Sequence, residues 1–270
     1  MNIVEWEEFL IPYEQAVDEL TGKFRSYSRE LKKKGLQSPI EYVEGRVKKV
    51  GSILEKAHRK GIHFGQVAEE IEDIAGIRII CRFVEDIQRV VAILRERNGI
   101  DMDIIEEGDY ISNGKSSGYR SYHINIRYGM WTADGVKSVV AEIQIRTMAM
   151  NFWATIEHSL KYKYNRNFPQ DLQKRLISAA EASYSLDVEM SAIRDEIMEA
   201  ARVLNRKNDL VDDIMSNMRE LYSSARINNI EELNAKFLSL YEQDDLEKLL
   251  EFKRQLEILS DLYQVEKSSY

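Results

Sequence analysis

The chain has 270 residues, 44% hydrophobic and 31% charged, with a net charge of -8 at pH 7. That acid excess excludes a general DNA binder, whose phosphate contacts need a basic surface, but leaves a local basic cluster free to hold small anions. Cys81 is the only cysteine, which excludes an internal disulfide and a cysteine-built zinc site and fits a reducing compartment.

The first residues, Met-Asn-Ile-Val-Glu-Trp, lack the basic and apolar regions of a secretion signal, and no apolar run approaches membrane-spanning length. A cytoplasmic protein with no membrane partner is expected. Apolar residues at helical spacing, Phe9, Tyr13, Ala16, Val17, Leu20 and Phe24, predict a helix over 3–33, ended by Gly35. In the next segment, Ser38-Pro39-Ile40-Glu41 has the form of a helix start. Val43, Gly45 and Val47 nonetheless alternate with Tyr42, Glu44, Arg46 and Lys48, and the strand reading is preferred. A helix follows over 51–60. Residues 76–83 read as a core strand, 85–97 as a helix, 102–106 as a short strand and 108–118 as a polar loop. Segments 120–128 and 137–146 alternate around Ala133-Asp134-Gly135, a hairpin pattern. From Thr147 onward the pattern is helical, with breaks expected near 168–169, 205–208, 228–229 and 244–245.

The hairpin alternation sorts Val140, Glu142, Gln144 and Arg146 onto one face, with Ser121, His123, Asn125 and Arg127 beside them. Such a face is either solvated or the floor of a ligand site. Residues 45–60 hold Arg46, Lys48, Lys49, Lys56, Arg59 and Lys60 against the single acid Glu55. Ser52, Lys56 and Arg59 share one helix face, which is either a solvated basic face or a polyphosphate grip. Asp73, before the core strand, suits a magnesium ligand, a cap or a loop position. Arg78 and Arg82 alternate with the isoleucines and share a strand face. In the loop, Lys115 and Tyr119 offer charge and a stacking ring, or an ordinary surface.

The string DIAGIRIICRF from Asp73, GYRSYH from Gly118 and AEIQIRT from Ala141, in this order, resemble the synthetase domain of the RelA/SpoT alarmone synthetases. IVEWEEFLIPYEQAV and MNFWATIEHSLKYKY resemble the small, single-domain type more closely. The likeness covers residues 3–205. It implies an α/β fold with a mixed α+β sheet, a nucleotidyltransferase-like synthetase domain over 1–205 and a helical C-terminal extension over 206–270. The implied reaction is transfer of pyrophosphate from ATP to the 3′-hydroxyl of GDP or GTP. By resemblance, Asp73 and Glu142 are catalytic and bind Mg2+, with Glu142 either binding the metal or activating the 3′-hydroxyl. Arg46 and Arg78 enclose adenine, while Lys48, Ser52, Lys56 and Arg59 hold the ATP phosphates. Tyr119 stacks on guanine with Lys115, Ser117 and His123 around it, although Ser117 stands where long members carry asparagine. None of the four histidines is followed by aspartate, so hydrolysis is not expected. The resemblance further implies a homotetramer. Some small members are activated by the alarmone at a central cleft, which Tyr42 and Asn151 could line here. Thr21 and Glu44 suit a polyanion less, so an allosteric alarmone is left open. The tail stripes, Val211, Ile214, Met215, Met218, Leu221 and Tyr222, then Leu246, Leu249, Leu250, Phe252, Leu256 and Leu259, read as core packing or as a regulatory module. A nucleotidyltransferase of related fold and a noncatalytic nucleotide or RNA sensor are the rival readings.

Overall fold

The computed structural model describes residues 3–112, 114–164, 169–224, 230–243 and 245–267. Helix α1 (Ile3–Lys33) leads into β1 (Tyr42–Val47), α2 (Val50–Lys60), α3 (Val67–Glu70), β2 (Ala75–Cys81), α4 (Val84–Glu96), β3 (Asp103–Asp109), β4 (Tyr122–Thr132) and β5 (Gly135–Thr147). Helices α5 (Met148–Tyr164), α6 (Gln170–Ser224), α7 (Ile230–Glu242) and α8 (Leu246–Lys267) follow. The five strands form one sheet in the order β1-β2-β5-β4-β3, with β2 parallel to β5 and the other neighbours antiparallel. The mixed α/β class is as expected.

Alternation explains the layering. Val43, Ile77, Ile79, Ala141, Ile143, Ile145, Ile124 and Ile126 are buried on one sheet face. Helices α1 and α4 cover that face with Ala16, Leu20, Phe24, Ile87, Val90, Val91 and Leu94. Gly45 lets β1 lie against α1, because a Cβ there would come within 2.5 Å of Val17 Cγ1. The opposite face carries the alternating polar residues. Helix α1 ends as its sequence suggests, with Gly35 at φ +71°.

Several boundaries differ from the sequence reading. The hairpin strands run to Thr132 and from Gly135, so the loop is only Ala133-Asp134, with Gly135 at φ +100°. The short strand expected over 102–106 is an edge strand extending to Asp109, with an irregularity between Ile104 and Glu106. Strand β2 stops at Cys81, so Arg82 leaves the face it was expected to share with Arg78 and pairs with Glu41 at 2.9 Å. No break occurs at 205–208, where α6 is continuous. Pro169 is outside any helix, and Asp245 caps α8 through its Oδ1, which accepts from the amides of Glu247 and Lys248. The breaks expected at Phe168, Asn228-Asn229 and Asp244 lie outside the described residues.

The chain divides into two compact units, Met1–Ala192 and Ile193–Tyr270. The second has its own core of Leu210, Ile214, Leu221, Phe237, Leu249, Phe252 and Leu256. Met215 and Leu250, assigned to its stripes from sequence, are instead 38% and 41% exposed. The Tyr222 side chain lies outside the described residues. Among the described residues, no helix is long and apolar enough to cross a membrane.

Candidate functional site

Strand register assembles the site. Residues paired across neighbouring strands point to the same face. One row reads Glu44, Arg78, Gln144 and His123, and the next reads Arg46, Gly76, Glu142 and Asn125. Residues 46, 78, 123 and 142, far apart in sequence, therefore lie on one floor. A cavity of about 340 Å³ opens above its β1 side, lined by Arg25, Glu44, Arg46, Arg78, Glu142 and Gln144 among others. Gly76 leaves space in the middle of the row, and the Arg46 side chain lies over it.

Asp73 stands two residues before β2. Lys48, just past β1, donates to its Oδ2 at 2.6 Å, and Lys56 of α2 donates to its Oδ1 at 2.7 Å. Burial disfavours its charge, but the two ammonium groups override that cost and hold the carboxyl below its usual range. The sequence grouping of Lys48, Lys56 and Asp73 is thus brought together. Ser52 and Arg59 stand exposed on α2, and among the described residues no side-chain bond joins them to the cluster. Arg78 reaches Glu44 at 3.4 Å, and its Nε is buried without a hydrogen-bond partner among the described residues.

The other side of the floor is a closed ring of hydrogen bonds. Glu142 Oε1 lies 2.9 Å from His123 Nδ1, and Gln144 donates to Glu142 Oε2 at 2.7 Å. Arg146 donates to Gln144 Oε1 at 2.7 Å and also to the Tyr119 phenol, whose oxygen lies 2.8 Å from His123 Nε2. The carboxylate acceptor assigns the ring proton to Nδ1, so Nε2 accepts from the phenol and the phenol accepts from Arg146. Every member is satisfied, which fixes orientation in a low-dielectric setting. Burial opposes charge on Glu142. The His123 and Gln144 bonds nevertheless hold its carboxyl below the usual range, while the charge of Asp73 pushes it upward. The two acids therefore lie within electrostatic reach of each other. Burial lowers the Arg146 guanidinium, and Tyr119 counters it.

Lys115 lies over two rings, with its Nζ 4.1 Å from the centre of Tyr110 and 5.3 Å from that of Tyr119. Tyr110 also meets His123 edge-on at 5.3 Å. Ser117 is half-buried in the same turn, which is closed by Gly118 N–H to Lys115 O at 2.8 Å. Sequence reasoning placed Gln144 and Arg146 on the polar face without giving them a task, and it missed Arg25 and Tyr110. Nothing in the pattern of a polar loop singles out Tyr110.

Elsewhere, Asn151 donates to the Tyr42 hydroxyl at 3.3 Å, so those two expected cleft residues do meet. Thr21 is 5% exposed, bonded to Val17 O and packed under β1. It is therefore a packing residue rather than a cleft-lining one.

The donor set suits magnesium. No group of three or more potential His, Cys, Asp or Glu ligands occurs among the described residues. Magnesium does not need one, since it keeps waters and takes one or two carboxylates plus substrate phosphates. Two ionised acids, cations on one side and aromatic rings on the other, define a site for phosphoryl-type transfer between two ligands.

Comparison with known proteins identifies the class more closely. Residues 45–167 match the family described as a region found in RelA / SpoT proteins. Over 207 residues the chain is 51% identical to the GTP pyrophosphokinase YjbM of Bacillus subtilis (strain 168), covering 77% of this chain and 97% of that protein. A solved GTP pyrophosphokinase family protein from Streptococcus pneumoniae aligns with TM-score 0.69 and 52% identity, covering 74% of this chain and 97% of the other. Small alarmone synthetase 1 from Bacillus subtilis, bound to its product pppGpp, aligns with TM-score 0.68 and 51% identity, covering 72% and 98%. The chain belongs to the RelA/SpoT family.

Proposed function

We propose that this chain transfers pyrophosphate from ATP to the 3′-hydroxyl of GDP or GTP and releases AMP. The observation that carries this reading is that Asp73, held by a lysine cluster just before β2, and Glu142, opposite Gly76 of β2 and bonded to His123 beside an aromatic-lined wall, lie within electrostatic reach of each other. Two such flanks suit two separately gripped nucleotides, which in-line attack on the β-phosphorus requires.

On the donor side, Arg46 and Arg78 enclose the adenine beside the cavity. Lys48, Lys56, Ser52 and Arg59 meet the phosphates. On the acceptor side, Tyr119 stacks on guanine while Lys115, Ser117 and His123 surround the nucleotide. Asp73 and Glu142 would hold Mg2+, which would neutralise phosphate charge when bound. Glu142, ionised and oriented by His123 and Gln144, receives the proton of the 3′-hydroxyl. That oxygen forms a bond to the β-phosphorus, the bond from the α,β-bridging oxygen to the β-phosphorus breaks, and AMP departs with that oxygen. The enzyme acts in the cytoplasm as a homotetramer, with the Tyr42–Asn151 contact lining a central cleft.

Incubation with ATP, Mg2+ and GDP or GTP, followed by separation of products, tests the reaction. AMP and a 3′-pyrophosphorylated guanosine are expected in equal amounts. Pyrophosphate with a nucleotidyl adduct supports the nucleotidyltransferase rival, and binding without turnover supports a sensor. Retention of both acids in ionised form weighs against the sensor.

A further inference from the structure

The loop that carries Lys115 and Tyr119 does not hold its shape alone. Its chain reversal places Gly118 at φ +87°, directly against α6. A Cβ on Gly118 would come within 2.6 Å of Ala180 Cβ and 3.4 Å of Ile177 Cα. Behind the Tyr119 ring, Trp153 and Ala154 of α5 pack with Ala180 and Leu176 of α6, and the Trp153 indole donates to Leu176 O at 2.8 Å. The wall of the acceptor pocket is therefore the segment 176–184 of α6.

Arg120 ties the near end of the loop to the same wall. Its guanidinium lies over the ring of Tyr184 at 4.0 Å from the centroid. The same group donates to the carbonyl of Ile111, at the far end of the loop, and fills the space that a Cβ on Gly114, in its middle, would need. One planar cation thus touches both limbs of the loop, with its face on an α6 ring and its edge on the backbone. A guanidinium can do both at once; an ammonium cannot.

We propose that Arg120, seated on Tyr184, is a positioning residue that fixes the Lys115–Tyr119 loop in the form that receives the guanine nucleotide. It touches neither substrate nor reacting atoms. Its effect falls on acceptor binding, because the loop it fixes bears the acceptor's stacking ring and cation, whereas the Lys48–Lys56–Asp73 cluster lies on other elements. This inference rests on the assignment of Tyr119 to guanine stacking.

The test is steady-state kinetics of the full chain with ATP and GDP. For Tyr184→Leu, KM for GDP should rise about tenfold, the scale of losing a partly desolvated cation–π contact and the order it maintains. KM for ATP should stay within about twofold, and kcat measured at saturating GDP should change less than KM. Tyr184→Phe keeps the ring and should behave as the parent. Arg120→Lys, which keeps the charge but loses the flat double contact, should reproduce the Tyr184→Leu split. Adding Arg120→Lys to Tyr184→Leu should then add little, since both act through one contact. Equal changes in both KM values, no change in either, or failure of Tyr184→Phe to rescue would each overturn the proposal. If Tyr184→Leu does not fold, the KM split of Arg120→Lys alone decides. Tyr119→Ala is measured in parallel: if it too fails to separate the two KM values, the guanine assignment is what has failed. If it separates them and the Arg120 and Tyr184 variants do not, only the positioning role is lost.

Discussion

The two halves of the floor are built from different physics. The donor half is a charge cluster in which two lysines hold one half-buried acid, with Arg46 lining an open cavity and the α2 face exposed to solvent. The acceptor half is a closed ring of hydrogen bonds, Glu142–His123–Tyr119–Arg146–Gln144, backed by helix packing. The first is a set of charges whose partners can be exchanged for phosphates; the second is prearranged before any ligand arrives. Under the proposed function, the rigid half would set specificity for the base and the loose half would grip the polyphosphate.

The strongest way to break this contrast is to remove the one residue that both halves share. Glu142→Gln keeps an acceptor oxygen for His123 but no longer accepts a proton, and kcat should fall about a thousandfold, within the range for losing a general base. ATP binding, followed by calorimetry, should change little. Near-parental turnover would remove Glu142 from the chemistry and leave the ring as scaffold alone.

How much of this was visible beforehand follows the same divide. Strand alternation around a short turn set the hairpin faces, so the meeting of His123 with Glu142 was legible, because a period of two leaves no freedom in which side a residue takes. Register between β1 and β2 was not legible. The pairing of Glu44 with Arg78 therefore emerges only in the fold. Lys48 and Lys56 were read as phosphate ligands, but their present partner, Asp73, is 25 and 17 residues away and had no local signature. Arg120 and Tyr184 are further apart still, and a helix nominally packing elsewhere says nothing of the loop it supports. The break expected at Asn205–Asn208 failed for a simpler reason. Asparagine in an exposed helix interior costs only about 0.7 kcal/mol or less. The buried Leu210 and Ile214 just beyond reward continuation.

A finer test separates the halves by their response to salt. Tyr119→Ala should raise KM for GDP about ten- to hundredfold, the range for one lost base-stacking ring, with little dependence on ionic strength. Lys56→Ala should raise KM for ATP about tenfold at low salt, and that penalty should shrink as salt screens the remaining cations. Measured between low and moderate salt, two parallel curves would erase the distinction between a stacked site and a charged one.

The smallest effect concerns what holds α6, the acceptor wall, against the end of β5. Thr147, the last residue of β5, donates to Asp187 of α6 at 2.6 Å and accepts from the Met150 amide. Burial raises the Asp187 carboxyl to about 6, with Glu85 adding to the rise and the Thr147 bond opposing it. A carboxyl raised on folding keeps its proton in the folded state between about pH 4 and 6, where the unfolded chain has released it. Stability contributed there is full below pH 4, falls as pH rises and is gone above 6. Asp187→Asn retains an acceptor for Thr147 without the charge. It should therefore be more stable than the parent by about 1–2 kcal/mol at pH 7, the scale of a two-unit shift after allowance for solvent screening. The gap should close toward pH 4, read as the difference in urea midpoints of the two proteins at each pH. A gap independent of pH would mean that Asp187 is ionised in the fold, and that the acceptor wall rests on packing alone.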